Sequence, residues 1–181
     1  MKVAICIGHN SRNKGAFSLY LNSTEFDYNT RIANLVKQEL PDSVEIFNRY
    51  KTTGYTKEIE NLASRVNRKD FDLVVELHFN AAVPSAEGYE ALYYHTSAKG
   101  KQYAESFCEA IGNEYGGINR GAKPLSQDTD RGFLFVQKMK APAIILEPFF
   151  GTNKEATKFI NAQRYADTLA KWIECLNKEC N

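Results

Sequence analysis

The feature that most constrains the fold is a nearly continuous apolar run near the middle of the chain, FDLVVELHF at residues 71–79. Such a run is typical of a strand covered on both faces, as in parallel sheets flanked by helices. Along the rest of the chain, segments with strand patterns alternate with segments that have the apolar spacing of helices. This alternation predicts an α/β fold in which a single domain has a largely parallel sheet with helices on both faces.

The remaining elements are predicted from the same patterns. Further strands are predicted at Lys2–Ile7, Val44–Asn48, Gly88–Tyr94 and Ala143–Glu147. Helices are predicted from a Ser23 or Thr24 cap to Leu40, from a Thr56 cap through Val66, from Ser97 to Gly116, and from Asn153 to Leu176 with Ile160 facing inward. The segment 133–136 fits either a short strand or a turn.

Composition and charge narrow the classes of partner. The 181 residues suit one domain, and 23 basic against 22 acidic residues leave a net charge of +1. We therefore expect no nucleic-acid partner, because sequence-independent binding usually needs a strongly basic surface. No apolar stretch approaches the ~20 residues of a membrane span, so no membrane insertion is expected. The apolar run Val3–Ile7 is too short for a signal peptide, and we expect a soluble protein made in the cytoplasm.

The cysteines carry no redox or zinc-ribbon motif. Cys6, Cys108, Cys175 and Cys180 include no CxxC pair. We expect reduced, structural thiols, since a chain of this length forms a core without disulfide bonds. The alternative that stays open is a bond between Cys175 and Cys180.

Polar side chains at the ends of predicted strands are the strongest functional signal. The chain has no GxGxxG, P-loop, GxSxG or HExxH motif. His9, His78 and Glu147 each lie at the carboxyl end of a predicted strand, which is where ligands bind in open α/β sheets. Glu25 begins the first predicted helix and faces the same edge. Two imidazoles and a carboxylate form a known catalytic zinc set, and a second carboxylate would transfer protons. This pattern indicates a metal hydrolase.

Each of these residues also has a simpler explanation. Glu25 could only favour the positive end of the helix dipole, and His9 could be a loop residue bonded to backbone. Glu147 is harder to explain in this way, because a carboxylate directly after Ile144–Leu146 is partly desolvated, which is costly without a partner.

Four segments in order give the chain a family resemblance. They are GHN at Gly8–Asn10, ExxxN at Glu25–Asn29, ELHFNA at Glu76–Ala81 and LEPFFGTN at Leu146–Asn153. With LASRVNR, EGYEALYY and NRGAK, the resemblance extends over nearly the whole chain. The chain resembles the zinc-dependent N-acetylmuramoyl-L-alanine amidases of the amidase-3 type, above all the catalytic domains of phage endolysins that act on Gram-positive walls.

The resemblance implies a fold, a cofactor and a reaction. It implies one catalytic domain over residues 1–181 with a twisted, mixed and mostly parallel sheet. It assigns Zn²⁺ to His9, Glu25 and His78 and catalysis to Glu147. The reaction would be hydrolysis of the amide between the lactyl group of N-acetylmuramic acid and the L-alanine of the stem peptide. A stem-peptide metallo-peptidase, an inactive wall-binding module and a non-enzymatic scaffold remain alternatives.

The chain departs from the family pattern at three places. GHNS replaces a glycine-rich opening, Pro148 follows the catalytic glutamate, and Glu76 stands where many relatives have serine. Strand alternation puts Glu76 and His78 on the same face. Glu76 could therefore orient His78 or compete as a ligand. We favour the orienting role, because zinc hydrolases keep one ligand position open.

Substrate contacts are expected from polar residues near the same edge. Arg120 and Lys123, in an expected NRGAK loop, would bind carboxylates of the stem peptide, although a solvated basic turn explains them equally well. Asn80 and Asn153 would line the cleft. The expected partner is bacterial peptidoglycan, and the chain is expected to be a monomer that reaches the wall after release by phage- or prophage-type lysis.

Overall fold

Six strands form one mixed sheet that organises the molecule. The structure is a computed structural model that describes residues 1–179, with the side chains of residues 1–177. The strands of this sheet are β1 (Val3–Ile7), β4 (Val44–Asn48), β5 (Leu73–Leu77), β6 (Tyr89–Tyr94), β7 (Asn119–Leu125) and β8 (Ala143–Glu147). Their order in the sheet is β4-β1-β5-β8-β6-β7. The strands β4, β1, β5 and β8 run parallel to one another, whereas β6 pairs antiparallel with β8 and parallel with β7.

Helices cover the sheet, and a small hairpin precedes the first of them. The hairpin consists of β2 (Phe17–Ser18) and β3 (Ser23–Thr24), which pair antiparallel. The helices are α1 (Glu25–Glu39), α2 (Tyr55–Val66), α3 (Ala98–Tyr115), α4 (Phe133–Lys138) and α5 (Ala162–Glu179), with a 3₁₀ helix at Lys154–Phe159. The predicted α/β fold with a mostly parallel mixed sheet is confirmed.

The core lies on both faces of the sheet. Along β1, Val3, Ile5 and Ile7 pack with the cluster of α1, α3 and α5, whereas Ala4 and Cys6 pack with the cluster of α2 and α4. All five β5 residues are buried, and they divide between the two faces in the same way. Burial on both faces explains why the central strands read as continuous apolar runs.

Two helix starts show how local sequence sets the boundaries. Thr24 caps α1 by accepting a hydrogen bond from the Asp27 amide, as predicted. The predicted cap at Thr56 is wrong, because α2 begins at Tyr55 after Gly54, which makes no side-chain capping bond.

Three other predicted elements differ from the structure. Residues 133–136 lie in the short helix α4 rather than in a strand or turn. The last predicted helix is divided: the 3₁₀ helix ends at Phe159, α5 starts at Ala162, and Ile160 between them is exposed rather than inward. The expected NRGAK loop is wrong, since these residues begin β7. Because β7 lies at the sheet edge and is mostly exposed, it lacks the apolar alternation of a typical strand.

The described cysteines are free thiols. Cys6 and Cys108 are buried and Cys175 is exposed. Burial raises the pKa of Cys108 to about 12, so this thiol is inert and packs as a small apolar group. The Cys175–Cys180 alternative lies outside the described residues. Within residues 1–179, no helix has the length and apolar character needed to cross a membrane.

Candidate metal centre

Three side chains with metal-binding atoms meet at the carboxyl edge of the sheet. His9 follows β1, His78 follows β5 and Glu25 opens α1. The Glu25 carboxylate lies between the two rings, with Oε2 at 3.1 Å from His9 Nε2 and Oε1 at 2.9 Å from His78 Nδ1. One ligand atom from each residue lies within 4.8 Å of the others. The structure therefore brings together the three residues that the sequence singled out, in an arrangement that can hold a metal ion.

Close backbone approach makes this convergence possible. A Cβ at Gly8 would lie 2.5 Å from the His78 ring, and a Cβ at Gly15 would lie 2.5 Å from His9 Cδ2 and 2.6 Å from Glu25 Oε2. Only glycine fits at these two places, since real Cβ atoms do not come so close to other heavy atoms. Gly15 also has a positive φ of 75°, which glycine adopts freely. The loop after β1 thus folds over the rings without displacing them.

Backbone amides fix Glu25 in its place between the rings. Its Oε2 accepts a hydrogen bond from the Ala16 amide at 3.1 Å, and its Oε1 accepts one from the Phe79 amide at 3.2 Å. Burial works to raise the Glu25 pKa, but hydrogen bonds to His78 and His9 outweigh it and hold the pKa well below its ordinary value. Glu25 is therefore an ionised carboxylate, the form that binds a metal.

The His78 ring has a second carboxylate on its other side. Its Nε2 lies 3.2 Å from Oε2 of the buried Glu76. Burial works to lower the His78 pKa, but the charge of Glu76 and the hydrogen bonds to Glu25 and Glu76 raise it to about 10. In the metal-free chain this ring carries a proton, which metal binding at Nδ1 or Nε2 would displace. Because Glu76 meets the nitrogen opposite the Glu25 contact, its position favours orienting the ring.

Glu147 lies beside this group at the end of β8. It is aligned with Glu90 of β6, and the His78 amide donates to the carbonyl of the preceding residue, Leu146, at 3.1 Å. Its Oε2 is shielded from solvent and has no hydrogen-bond partner among the described residues. Burial, partly opposed by the His78 charge and reinforced by Glu25, raises the Glu147 pKa to about 8. An unpaired carboxyl that titrates near neutral pH is suited to proton transfer.

The predicted substrate residues divide into two groups. Asn80 and Arg120 are joined through Glu90: Asn80 Nδ2 donates to Glu90 Oε1 at 2.8 Å, and Arg120 Nε donates to Glu90 Oε2 at 2.8 Å. The Arg120 guanidinium also lies 5.1 Å from the centroid of the Phe150 ring. Because Glu90 is aligned with Glu147, this group adjoins the candidate metal centre.

Lys123 and Asn153 lie apart from that group. In the sheet register, Lys123 pairs with Leu92 of β6, and Leu92 pairs with Ile145 of β8. Lys123 is therefore level with Ile145, two residues farther from the carboxyl end of β8 than Glu147. Asn153 is buried and caps the 3₁₀ helix, and its Nδ2 donates to the Pro84 carbonyl at 2.8 Å. Both polar ends of Asn153 are thus engaged within the fold.

Two charged residues near the centre were missed from the sequence. Glu90 interrupts the apolar strand GYEALYY, and Arg49 directly follows β4. A signal was present for both: Glu90 is a carboxylate within a buried strand, and Arg49 follows a strand end as His9 and His78 do. Both side chains are buried.

Comparisons with known proteins agree with this geometry. The Amidase_3 family, described as N-acetylmuramoyl-L-alanine amidase, matches residues 3–174. Among solved structures, the chain is similar to the catalytic domain of the CD27L endolysin targeting Clostridia difficile. The TM-score is 0.79 and the identity 26%, over 96% of this chain and 97% of that one. A search of curated protein sequences gave no match.

Two further structures share the fold at lower identity. One is the N-acetylmuramoyl-L-alanine amidase from Clostridium difficile 630, with a TM-score of 0.78 and 23% identity over 98% of this chain and 97% of that one. The other is the catalytic domain of CwlV from Bacillus (Paenibacillus) polymyxa var. colistinus, with a TM-score of 0.73 and 21% identity over 98% and 99%. Since the family match runs from β1 into α5, the chain belongs to the N-acetylmuramoyl-L-alanine amidase family.

Proposed function

We propose that this enzyme hydrolyses peptidoglycan at the amide bond between the lactyl carbonyl of N-acetylmuramic acid and the L-alanine of the stem peptide. The observation that carries the proposal is the meeting of His9, Glu25 and His78 beside the unpaired carboxyl of Glu147. Family membership indicates which bond is cleaved. The geometry supports a metal-binding role for the three residues and a proton-transfer role for Glu147 at the same edge of the sheet.

Zinc is the metal that we propose for this centre. Two imidazoles and one carboxylate are the protein ligands of several catalytic zinc sites, which leave a further position open. The ionised Glu25 and the buried Glu76 surround the histidines with negative charge, which suits a cation. His9, Glu25 and His78 would hold the ion, and Glu76 would fix the His78 ring. When bound, zinc polarises the scissile carbonyl and makes water a stronger acid.

Glu147 would move the proton that the reaction requires. Its carboxylate takes a proton from the attacking water while the water oxygen bonds to the lactyl carbonyl carbon. The protonated Glu147 then gives that proton to the L-alanine nitrogen as the carbon–nitrogen bond breaks. The products are a lactyl carboxylate on the glycan and a peptide with a free amino group. In the metal-free chain burial raises the pKa of Glu147 to about 8. A zinc ion bound beside it would lower this pKa and favour the carboxylate that accepts the proton of water.

Arg120 would bind a carboxylate of the stem peptide. Glu90 holds its Nε at 2.8 Å and Phe150 supports its guanidinium, so its terminal nitrogens are oriented for a bidentate contact. Asn80 is held by the same Glu90 and would line the cleft. Lys123 is exposed on β7, and we assign it a weaker contact farther along the peptide.

We also propose a biological context. The similarity to an endolysin catalytic domain supports a role in phage- or prophage-type lysis, with access to the wall after release. Residues 1–181 would act as one catalytic domain and as a monomer, which size-exclusion chromatography with light scattering tests.

Product analysis tests the proposed reaction. Purified peptidoglycan is digested with the protein, and soluble products are identified by mass spectrometry. The expected products are peptides that begin with a free L-alanine, from glycan chains that stay unbroken. Chelation should abolish their release, and added zinc should restore it.

The same digest separates the alternatives. Cleavage within the stem peptide would identify a metallo-peptidase instead. Binding to the wall without any released peptide would identify an inactive wall-binding module. Full activity after complete demetallation would contradict the zinc site while leaving the amidase reaction in place.

A further inference from the structure

A buried arginine lies behind the candidate metal centre. Arg49 follows β4 and is 6% exposed. Its Nη1 lies 3.5 Å from Glu76 Oε1, and its Nε lies 3.3 Å from Glu58 Oε2. Neither contact has the alignment of a hydrogen bond, so both are ion pairs. The guanidinium thus joins two buried carboxylates that come from different elements, β5 and α2.

Each of the two carboxylates contacts a group close to the candidate metal centre: Glu76 contacts the His78 ring, and Glu58 contacts the residue after His9. Glu76 Oε2 lies 3.2 Å from His78 Nε2. Glu58 Oε2 accepts a hydrogen bond at 3.1 Å from Nδ2 of the buried Asn10, which directly follows His9. Asn10 Oδ1 in turn accepts bonds from the Arg12 and Asn13 amides at 3.0 Å, and so fixes the loop. One guanidinium is therefore connected to the His78 imidazole through Glu76, and to the loop that carries His9 through Glu58 and Asn10.

Charge and shape both make Arg49 difficult to replace. Without it, the buried Glu58 would lose its ion pair and Glu76 would keep only His78 as a cationic partner, and an uncompensated buried charge is strongly destabilising. Its planar fork reaches both carboxylates at once, whereas a lysine ammonium is a single point charge on a flexible stem. A lysine at this position keeps the charge and loses the geometry.

We propose that Arg49 is a positioning residue of the zinc site, one that sets zinc affinity by holding Glu76 against His78. The proposal rests on the proposed zinc-dependent function. Arg49 contacts neither the metal-binding atoms nor, in the arrangement above, the reacting groups. It acts through Glu76, and partners of this outer kind typically change metal affinity by about 10–100-fold.

A double-mutant cycle tests this coupling. The zinc dissociation constant is measured by competition with a chromophoric chelator for the wild type, Arg49→Lys, Glu76→Gln and the double variant. Arg65→Lys is the matched control, since Arg65 bonds the Asn48 carbonyl instead of these carboxylates. Circular dichroism and thermal unfolding of the metal-free proteins show that each is folded. Lysine keeps the buried charge, so this variant is the one most suited to fold.

The cycle gives different results for positioning and for a purely structural role. We expect Arg49→Lys to weaken zinc binding about tenfold in the wild-type background and less than twofold in the Glu76→Gln background. Arg65→Lys should leave the affinity unchanged. Wild-type affinity in Arg49→Lys, or an equal loss in both backgrounds, would overturn the role of Arg49 while the zinc site stands. A wild type that binds no zinc would overturn the proposed metal site, and the role of Arg49 with it.

Discussion

Two carboxylates beside His78 occupy similar places in the sheet and have opposite surroundings. Glu76 belongs to β5 and Glu147 ends the neighbouring strand β8. On the β5 side, Glu76 contacts His78 at 3.2 Å and Arg49 at 3.5 Å. On the β8 side, Glu147 Oε2 is equally shielded from solvent, and among the described residues it has neither a hydrogen bond nor an ion pair, whereas Glu76 Oε1 lacks a hydrogen bond but pairs with Arg49. The difference between the two regions is pairing.

Because of this difference in pairing, the pKa values of the two carboxyl groups shift in opposite directions. For Glu76, burial works to raise the pKa, but His78 and Arg49 outweigh it and hold the pKa below its ordinary value. For Glu147, burial raises the pKa to about 8, because the nearby His78 charge opposes it only in part. One environment favours a charged carboxylate, and the other favours a carboxyl group that exchanges its proton near neutral pH. This difference supports the proposed roles, positioning for Glu76 on the β5 side and proton transfer for Glu147 on the β8 side.

Among the substitutions that test this comparison, we expect the largest effect on zinc binding and activity from one at His78, which lies beside both carboxylates. His78→Ala removes a proposed zinc ligand that contacts Glu76 and influences the charge of Glu147, so zinc and activity should be lost together. Zinc content by elemental analysis and release of L-alanine peptides measure this. His95→Ala is the matched control, because His95 is exposed and follows β6. Retention of full zinc content in His78→Ala would contradict the assignment of this residue.

Glu147→Gln should have the next largest effect, and only on catalysis. Proton transfer contributes about 10²–10⁴-fold to turnover, and glutamine keeps the shape without accepting the proton. Zinc content should remain that of the wild type. Glu105→Gln, on an exposed position of α3, is the control. Loss of zinc from Glu147→Gln would instead make Glu147 a ligand and move the proton-transfer role to another carboxylate.

Glu76→Ala should lower the affinity for zinc more than it lowers the turnover of the zinc-loaded enzyme. Losing the contact with His78 Nε2 should weaken zinc binding about 10–100-fold, with turnover largely restored at saturating zinc. Glu76→Gln, which keeps the volume, serves as a second variant if alanine lowers stability. Complete loss of zinc at saturating concentrations would identify Glu76 as a ligand and remove the contrast with Glu147.

Arg120→Gln tests the substrate side and should have the smallest effect. Losing one charge-assisted contact of about 1.4 kcal/mol corresponds to about a tenfold rise in KM, with little change in kcat. Lys123→Gln should change KM less than twofold, because this residue lies farther along β7. Equal effects of both substitutions would argue for general electrostatic attraction over a contact by Arg120.

The sheet and the edge residues could be predicted from sequence for a physical reason. Strands buried on both faces have nearly uninterrupted apolar sequences, so β5 and β8 can be predicted from the apolar pattern of this single sequence. Parallel strands end at one edge, so His9, His78 and Glu147, at or just after strand ends, are predicted to meet there. Register then places Glu147 level with Glu90.

What could not be predicted depends on contacts between distant segments. The edge strand β7 is polar because it has a neighbour on one side only, and its sequence reads as a loop. The helix α4 has six residues, too few to show a helical period. The Arg49–Glu76 and Glu90–Arg120 pairs join different strands, so their partners follow from the fold alone.

A carbon-13 NMR titration of the metal-free protein tests the contrast between Glu76 and Glu147 most directly. The side-chain carboxyl resonances are followed from pH 3 to 10 and assigned with Glu76→Gln and Glu147→Gln. We predict that the Glu147 carboxyl titrates near pH 8, and that Glu76 stays ionised to below the ordinary glutamate pKa of about 4.3. Titration of both carboxyls together near that ordinary value would contradict it.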